Sequence, residues 1–188
     1  MKLKSFLSGI LIIVSFDVFG QSLSIDSISS TGSIFNSNII IPAYYVEICK
    51  KPDLPTMDLE KDSFSFRLWT SSMTGYQMMI FKKNGDDFIS KKYKYTTPNS
   101  FYEVKVNPKM DFKQFYNGLK SFDFNVLIPQ ISIPGFEDNV DDGISYTLEI
   151  ILNKSYKVVR YHSPQSFSDS DNKHFSKFIL LISKYFDE

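Results

Sequence analysis

Four groups of side chains in this chain have the types and spacings that chemistry or binding needs. The first is Arg67 with Trp69, interleaved with Phe64, Phe66 and Leu68 along Ser63 to Thr70. A period of two puts the Arg and Trp on one face of a strand and the Phe/Leu set on the other. With helices over the Phe face, Arg67 and Trp69 lie on the open face of the sheet. Both residue types are frequent at interaction hot spots, so the pair is a candidate binding patch. Guanidinium packed over indole would instead make a stabilising cover.

The second group is Lys91-Lys92-Tyr93-Lys94-Tyr95. A strand places Lys92 and Lys94 on one face, with Lys91, Tyr93 and Tyr95 on the other. Lys92 and Lys94 are candidate contacts for a glycan or an anion. Lysines on a strand also block edge-to-edge aggregation.

The third is Asp138 to Glu149. Asp138, Asp142, Gly143 and Glu149 take positions 1, 5, 6 and 12 of a calcium loop. Position 3, which needs an oxygen donor, is Val140, and the flanks do not read as paired helices. The stretch is therefore read as an Asp-Gly turn entering a strand that carries Glu149. The fourth is the two histidines, His162 and His174. Two imidazoles without a third ligand make a poor zinc site. A hydrolase would need Glu149, Arg160 and His162 to converge in a pocket. No G-x-S-x-G elbow, phosphate loop, H-E-x-x-H pair or dinucleotide fingerprint occurs. No catalytic residue, metal ligand or cofactor is assigned.

The address is clearer than the chemistry. Lys2 and Lys4 precede an apolar run from Phe6 to Phe16, and Val18-Phe19-Gly20 suits cleavage before Gln21. The apolar run is about half the ~20 residues that a membrane-spanning helix needs, and Asp17 ends it. Residues 1–20 are thus expected to be a cleaved signal peptide, and the mature chain to be periplasmic or secreted. Cleavage removes Lys2 and Lys4 from 21 basic residues and Asp17 from 21 acidic ones, leaving −1 with His neutral. So balanced a charge argues against nucleic acid as a partner. A lone cysteine, Cys49, closes no internal disulfide, and Val46-Glu47-Ile48 beside it favours a buried thiol.

The elements that must position these groups follow from pattern. Residues 21–61 form a loose lead-in with one edge strand, Ile39 to Cys49, marked by Pro42. Residues 62–188 form a single α+β domain. Asn84-Gly85 predicts a type I′ hairpin that sets Lys83 opposite Asp86, Lys82 opposite Asp87 and Ile80 opposite Ile89. Phe101 to Asn107 is a further strand. Asn107-Pro108 opens a helix running to about Leu119. A second hairpin joins Ser145–Leu152 to Tyr156–His162. Phe175, Phe178, Ile179 and Ile182 mark the buried face of a last helix, capped from Ser168 to Asp171. This order predicts an antiparallel β-sheet of about six strands with two helices packed on one face.

Ser63 to Thr70 (SFSFRLWT) and Asp142 to Pro164 (DGISYTLEIILNKSYKVVRYHSP) together resemble a family of small exported or envelope-associated bacterial proteins that end in an amphipathic helix. Where that pattern has a Trp before Ser-Pro, this chain has His162. The resemblance implies fold and export; no activity comes with it. The expected function is an exported, non-catalytic binding or protein-interaction domain. Its partner would be a protein or glycan in the envelope or outside the cell. An envelope structural protein and a hydrolase near Glu149, Arg160 and His162 are the alternatives. No integral membrane span is expected.

Overall fold

Strand periodicity is sustained through six segments, and all of them pair in one sheet. In the computed structural model, which describes residues 48, 54–59, 61–96 and 100–186, these are β1 (Phe64–Ser72), β2 (Gly75–Asn84), β3 (Asp87–Tyr95), β4 (Tyr102–Val104), β5 (Ser145–Leu152) and β6 (Ser155–His162). The order across the sheet is β4-β3-β2-β1-β5-β6, and every neighbouring pair is antiparallel. Two helices, α1 (Phe112–Ser121) and α2 (Ser170–Phe186), complete the expected α+β architecture. The signal segment lies outside the described residues, as does the expected Ile39–Cys49 strand apart from Ile48. That residue is helical and fully buried.

Both helices pack on the face formed by Phe64, Phe66, Leu68, Met79, Phe81, Leu148, Ile150 and Val159. Phe115 and Leu119 come down from α1; Phe175, Phe178 and Ile182 come from α2, with Ile179 half-buried beside them. Phe66 stacks on Phe81 at 5.7 Å and takes the edge of Phe178 at 5.7 Å, while Tyr161 stacks on Phe175 at 4.0 Å. Each such ring contributes about 1.5–3 kcal/mol by burial before entropy is counted.

The helix starts follow carboxylate caps. Asp111 Oδ1 accepts from Gln114 N at 2.9 Å, so α1 begins four residues after Pro108, where the apolar stripe itself starts. Asp169 Oδ1 accepts from Asn172 N at 2.8 Å and caps α2 in the same way. The last strand of the first half, β4, is held to three residues, shorter than Phe101 to Asn107.

The first hairpin forms with a register two residues from expectation. Asn84 pairs with Asp87, so the loop is Gly85-Asp86, and Lys82 lies opposite Ile89. Of the two loop residues only Gly85 has positive φ, +59°, the pattern of a II′ turn with glycine first. The expected lysine–aspartate pairs are replaced. Lys82 Nζ lies 3.0 Å from Asp62 Oδ1, and Lys83 donates to its own turn at Gly85 O. The I′ geometry occurs instead at the β5–β6 turn, where Asn153 and Lys154 have φ of 51° and 61°.

Residues 122–133 run alongside β6, held by its side chains and, at Gln130, by the backbone at its end. Lys157 Nζ donates to Phe124 O and Asn125 O, and Tyr161 OH donates to Ile128 O at 2.7 Å. The second face of the sheet is also covered: Ile48 and Leu54 pack against Trp69, Met78, Ile80, Tyr93 and Tyr95, and Met57 against Ile151.

Candidate functional site

That cover corrects the expectation of an open sheet face. Arg67 is 1% exposed and Trp69 is fully buried. Strand alternation put both residues on the side away from the helices, as expected, but the chain ahead of β1 closes over that side. Burying a guanidinium requires a matched anion. Glu149, directly opposite Arg67 on β5, supplies it. Arg67 Nε and Nη2 donate to the two Glu149 oxygens at 2.5 and 3.0 Å. Trp69 Nε1 donates to Oε2 at 2.7 Å and Tyr156 OH to Oε1 at 2.7 Å. Burial pushes the Glu149 carboxyl up, but the Arg67 charge and these hydrogen bonds outweigh it and hold the pKa below the ordinary range. A carboxylate engaged by three side chains in this way acts as a structural counter-ion.

The other sequence candidates are scattered. Lys92 is 6% exposed, and its ammonium donates to Phe186 O at 3.3 Å, a cation at the negative end of α2. Lys94 lines a shallow hollow of about 220 Å³ with Tyr76, Gln77 and Tyr102. Lys92 lines a second hollow of about 250 Å³, under the end of α2, which shares Gln77. Arg160 is exposed and lies opposite Thr147, while His162 Nδ1 sits 3.2 Å from Asp138. No hydrogen bond or ion pair among the described residues joins Glu149, Arg160 and His162. His174 Nε2 meets Asp123 O at 3.0 Å, and its ring stacks on Phe122. Among the described residues no group of three or more His, Cys, Asp or Glu side chains is placed to hold a metal ion. Nor is any described helix long and apolar enough to cross a membrane.

A larger concavity lies where pattern reading assigned nothing. It measures about 530 Å³ and opens between the end of α1 with residues 122–125 on one side and the β1 start with the β5–β6 turn on the other. Phe64, Leu119 and Phe124 form a buried floor, and Tyr116, Phe122 and Leu152 continue it as half-buried walls. Ser63, Lys120, Asp123, Asn125 and Asn153 form an exposed polar rim. An apolar floor with a few polar groups around its mouth is the usual make-up of a small-molecule site, and the volume falls in that range.

The rim is braced. Asp123 Oδ1 accepts from Asn125 N at 3.0 Å, closing a tight turn, and Lys157 holds the Phe124 and Asn125 carbonyls from beneath. Burial lowers the Lys157 pKa, and the nearby Asp123 carboxylate opposes that shift. On the far side, the left-handed backbone at Asn153 turns the hairpin tip toward the cleft. The available signals were Asp123-Phe124-Asn125 and the turn at Asn153. Only the fold brings them together. Comparison with family models, with curated proteins and with solved structures finds no match to the chain.

Proposed function

We propose that this chain is an exported, non-catalytic binding domain whose ligand sits in the cleft between the end of α1 and the β5–β6 turn. The observation that carries this reading is the cleft itself: a buried Phe64–Leu119–Phe124 floor under a rim of exposed hydrogen-bonding side chains. Lys120 and Asp123 balance in charge, so the rim favours a neutral ligand. Apolar rings beneath and hydroxyl, amide and carboxylate groups above suit a molecule with one apolar face and several hydroxyls, such as a sugar unit. Engagement of Glu149 by Arg67, Trp69 and Tyr156 supports binding over hydrolysis, because it ties up the one fully buried carboxylate near the proposed alternative site. Export rests on Lys2, Lys4 and the apolar run to Phe16, with the mature chain starting at Gln21.

Titration of isotopically labelled chain with a panel of neutral oligosaccharides, followed by NMR, tests the site. The expected result is saturable shifts confined to residues 116–125 and 152–154, and lost in Lys120→Ala/Asn125→Ala. Shifts elsewhere, or none across the panel, would overturn the reading. Intact mass of exported protein tests the address, which fails if the mass includes residues 1–20.

A further inference from the structure

The geometry points to a second copy of this chain as the occupant of the outer edge of β3, added antiparallel about a two-fold axis through Ile89. β4 pairs only with Lys92 to Lys94, so among the described residues no strand covers the outer edge of β3 from Asp87 to Lys91. In a two-residue hairpin the residues flanking the loop, here Asn84 and Asp87, exchange hydrogen bonds with each other. Asp87, Ile89 and Lys91 therefore turn their backbone groups inward to β2. Phe88 and Ser90 turn theirs outward.

This edge is guarded by the charges of Asp87 and Lys91, which the pairing sets opposite one another. It has no proline, and it shows two large apolar side chains, Phe88 at 46% and Ile89 at 41% exposure. Phe88 leans one ring face on Phe112 at 3.6 Å. The sequence Asp87-Phe88-Ile89-Ser90-Lys91 is also complementary to itself when reversed. With Ile89 on the axis, Phe88 pairs with the partner's Ser90, Ser90 with the partner's Phe88, and four backbone hydrogen bonds form. Ile89 meets the partner's Ile89. Asp87 lies opposite the partner's Lys91, and Lys91 opposite the partner's Asp87. These three couples fall in the non-hydrogen-bonded positions, where side chains approach most closely. Lys91 already lies 2.8 Å from Glu103, and its ammonium has further N–H groups to share. Such a contact is isologous, as a closed dimer requires. It is also small, so association belongs in the micromolar range.

Sedimentation velocity at about 0.1 mM, a concentration suited to so small an interface, tests this on the full chain. The wild type is expected to run as a dimer. Asp87→Lys alone and Lys91→Glu alone each place like charges opposite one another twice, and each should weaken the dimer on the order of tenfold or more. An equimolar mixture of the two variants restores both opposite-charge couples and should recover a dimer. Ile89→Lys, which sets two ammoniums on the axis, should run as a monomer and serves if either charge variant fails to fold. A monomeric wild type, single variants that dimerise as tightly as the wild type, or a mixture no tighter than either variant alone would each overturn the proposal.

Discussion

Gln130 and His162 exchange two hydrogen bonds: Gln130 Nε2 donates to His162 O at 3.0 Å, and His162 N donates to Gln130 Oε1 at 2.7 Å. A side-chain amide thus takes the place of a seventh strand at the end of β6. The same Nε2 donates to Asn172 Oδ1 at 2.6 Å, and Asn172 Nδ2 in turn donates to the Asp169 cap of α2 at 2.7 Å. Gln130 and Asn172 are both buried, so the bond between them is made away from bulk water, while those to His162 and Asp169 are partly buried.

Gln130→Leu keeps much of the volume but removes the partner of the His162 N–H and of Asn172 Oδ1. The expected loss is about 1–3 kcal/mol, the desolvation cost of buried polar groups left unpaired. Urea denaturation measures it. A variant within ~0.5 kcal/mol of wild type would show that water replaces the amide without penalty.

The buried pair of Arg67 and Glu149 makes a second prediction. Arg67→Met or Glu149→Leu alone strands a charge and should cost about 3–5 kcal/mol. The double variant strands neither and should cost well under the sum of the two. The same unfolding experiment on all three variants completes the cycle. Additive single effects would remove the coupling claimed for the pair.

Stability should fall on both sides of neutrality, for different residues. Glu149 has its pKa held down in the folded state, so its contribution is full above the ordinary carboxylate range near ~4.3 and is lost as pH falls through the lower folded value. Tyr161 has its pKa pushed up by burial, with Asp171 and Asp169 adding to the effect. The neutral phenol is therefore favoured, and its contribution is present below about 10 and lost as pH rises further. Tyr146, raised by burial alone, adds to the alkaline limb. Urea midpoints across pH should show a plateau with an acid and an alkaline fall. Tyr161→Phe should make the alkaline fall shallower, and an unchanged fall would refute the assignment.

Two glycines should respond differently to alanine. A Cβ on Gly143 would sit 1.7 Å from Ser163 Oγ and 3.1 Å from His162 Nε2. Ser163 has little room to yield: it is buried, its φ is 42°, and its N–H donates to Ile144 O at 2.9 Å. Gly143→Ala should therefore cost about 1–3 kcal/mol, and Ser163→Gly in the same chain should recover part of it. At Gly118 the nearest atom is Leu181 Cδ1 at 2.9 Å, the movable end of a side chain, and helix propensity favours alanine by about 1 kcal/mol. Gly118→Ala should be close to neutral. Thermal melts of the three variants distinguish the two sites.

Much of the architecture was legible because it is written in short-range periodicity. The alternation in Ser63 to Thr70 placed Phe64, Phe66 and Leu68 under the helices, and the spacing of Phe175, Phe178 and Ile182 marked the inner face of α2. The first hairpin slid by two residues yet kept every side chain on its expected face, since a slip of two preserves the alternation. The environment of Arg67 was not legible. A polar residue alternating with phenylalanines reads as solvent-facing unless a buried counter-ion is known, and Glu149 lies 82 positions away. The cover over that face comes from Ile48 and Leu54, whose local pattern carries no sign of what they pack on. The cleft was hidden for the same reason. Its floor and rim come from three separated stretches of chain, from Ser63 to Asn153.

The strand order β4-β3-β2-β1-β5-β6 has a consequence for how the molecule assembles. β1 to β4 are joined by neighbouring-strand connections, and so are β5 and β6; the β1–β5 contact alone links the two blocks of the sheet. Each block can close its own hairpins within microseconds, but the seam must bring together segments about eighty residues apart. Closure of that seam is therefore the slow, committing event of folding. The Arg67 guanidinium then arrives in the core only in the act that delivers the Glu149 carboxylate to meet it.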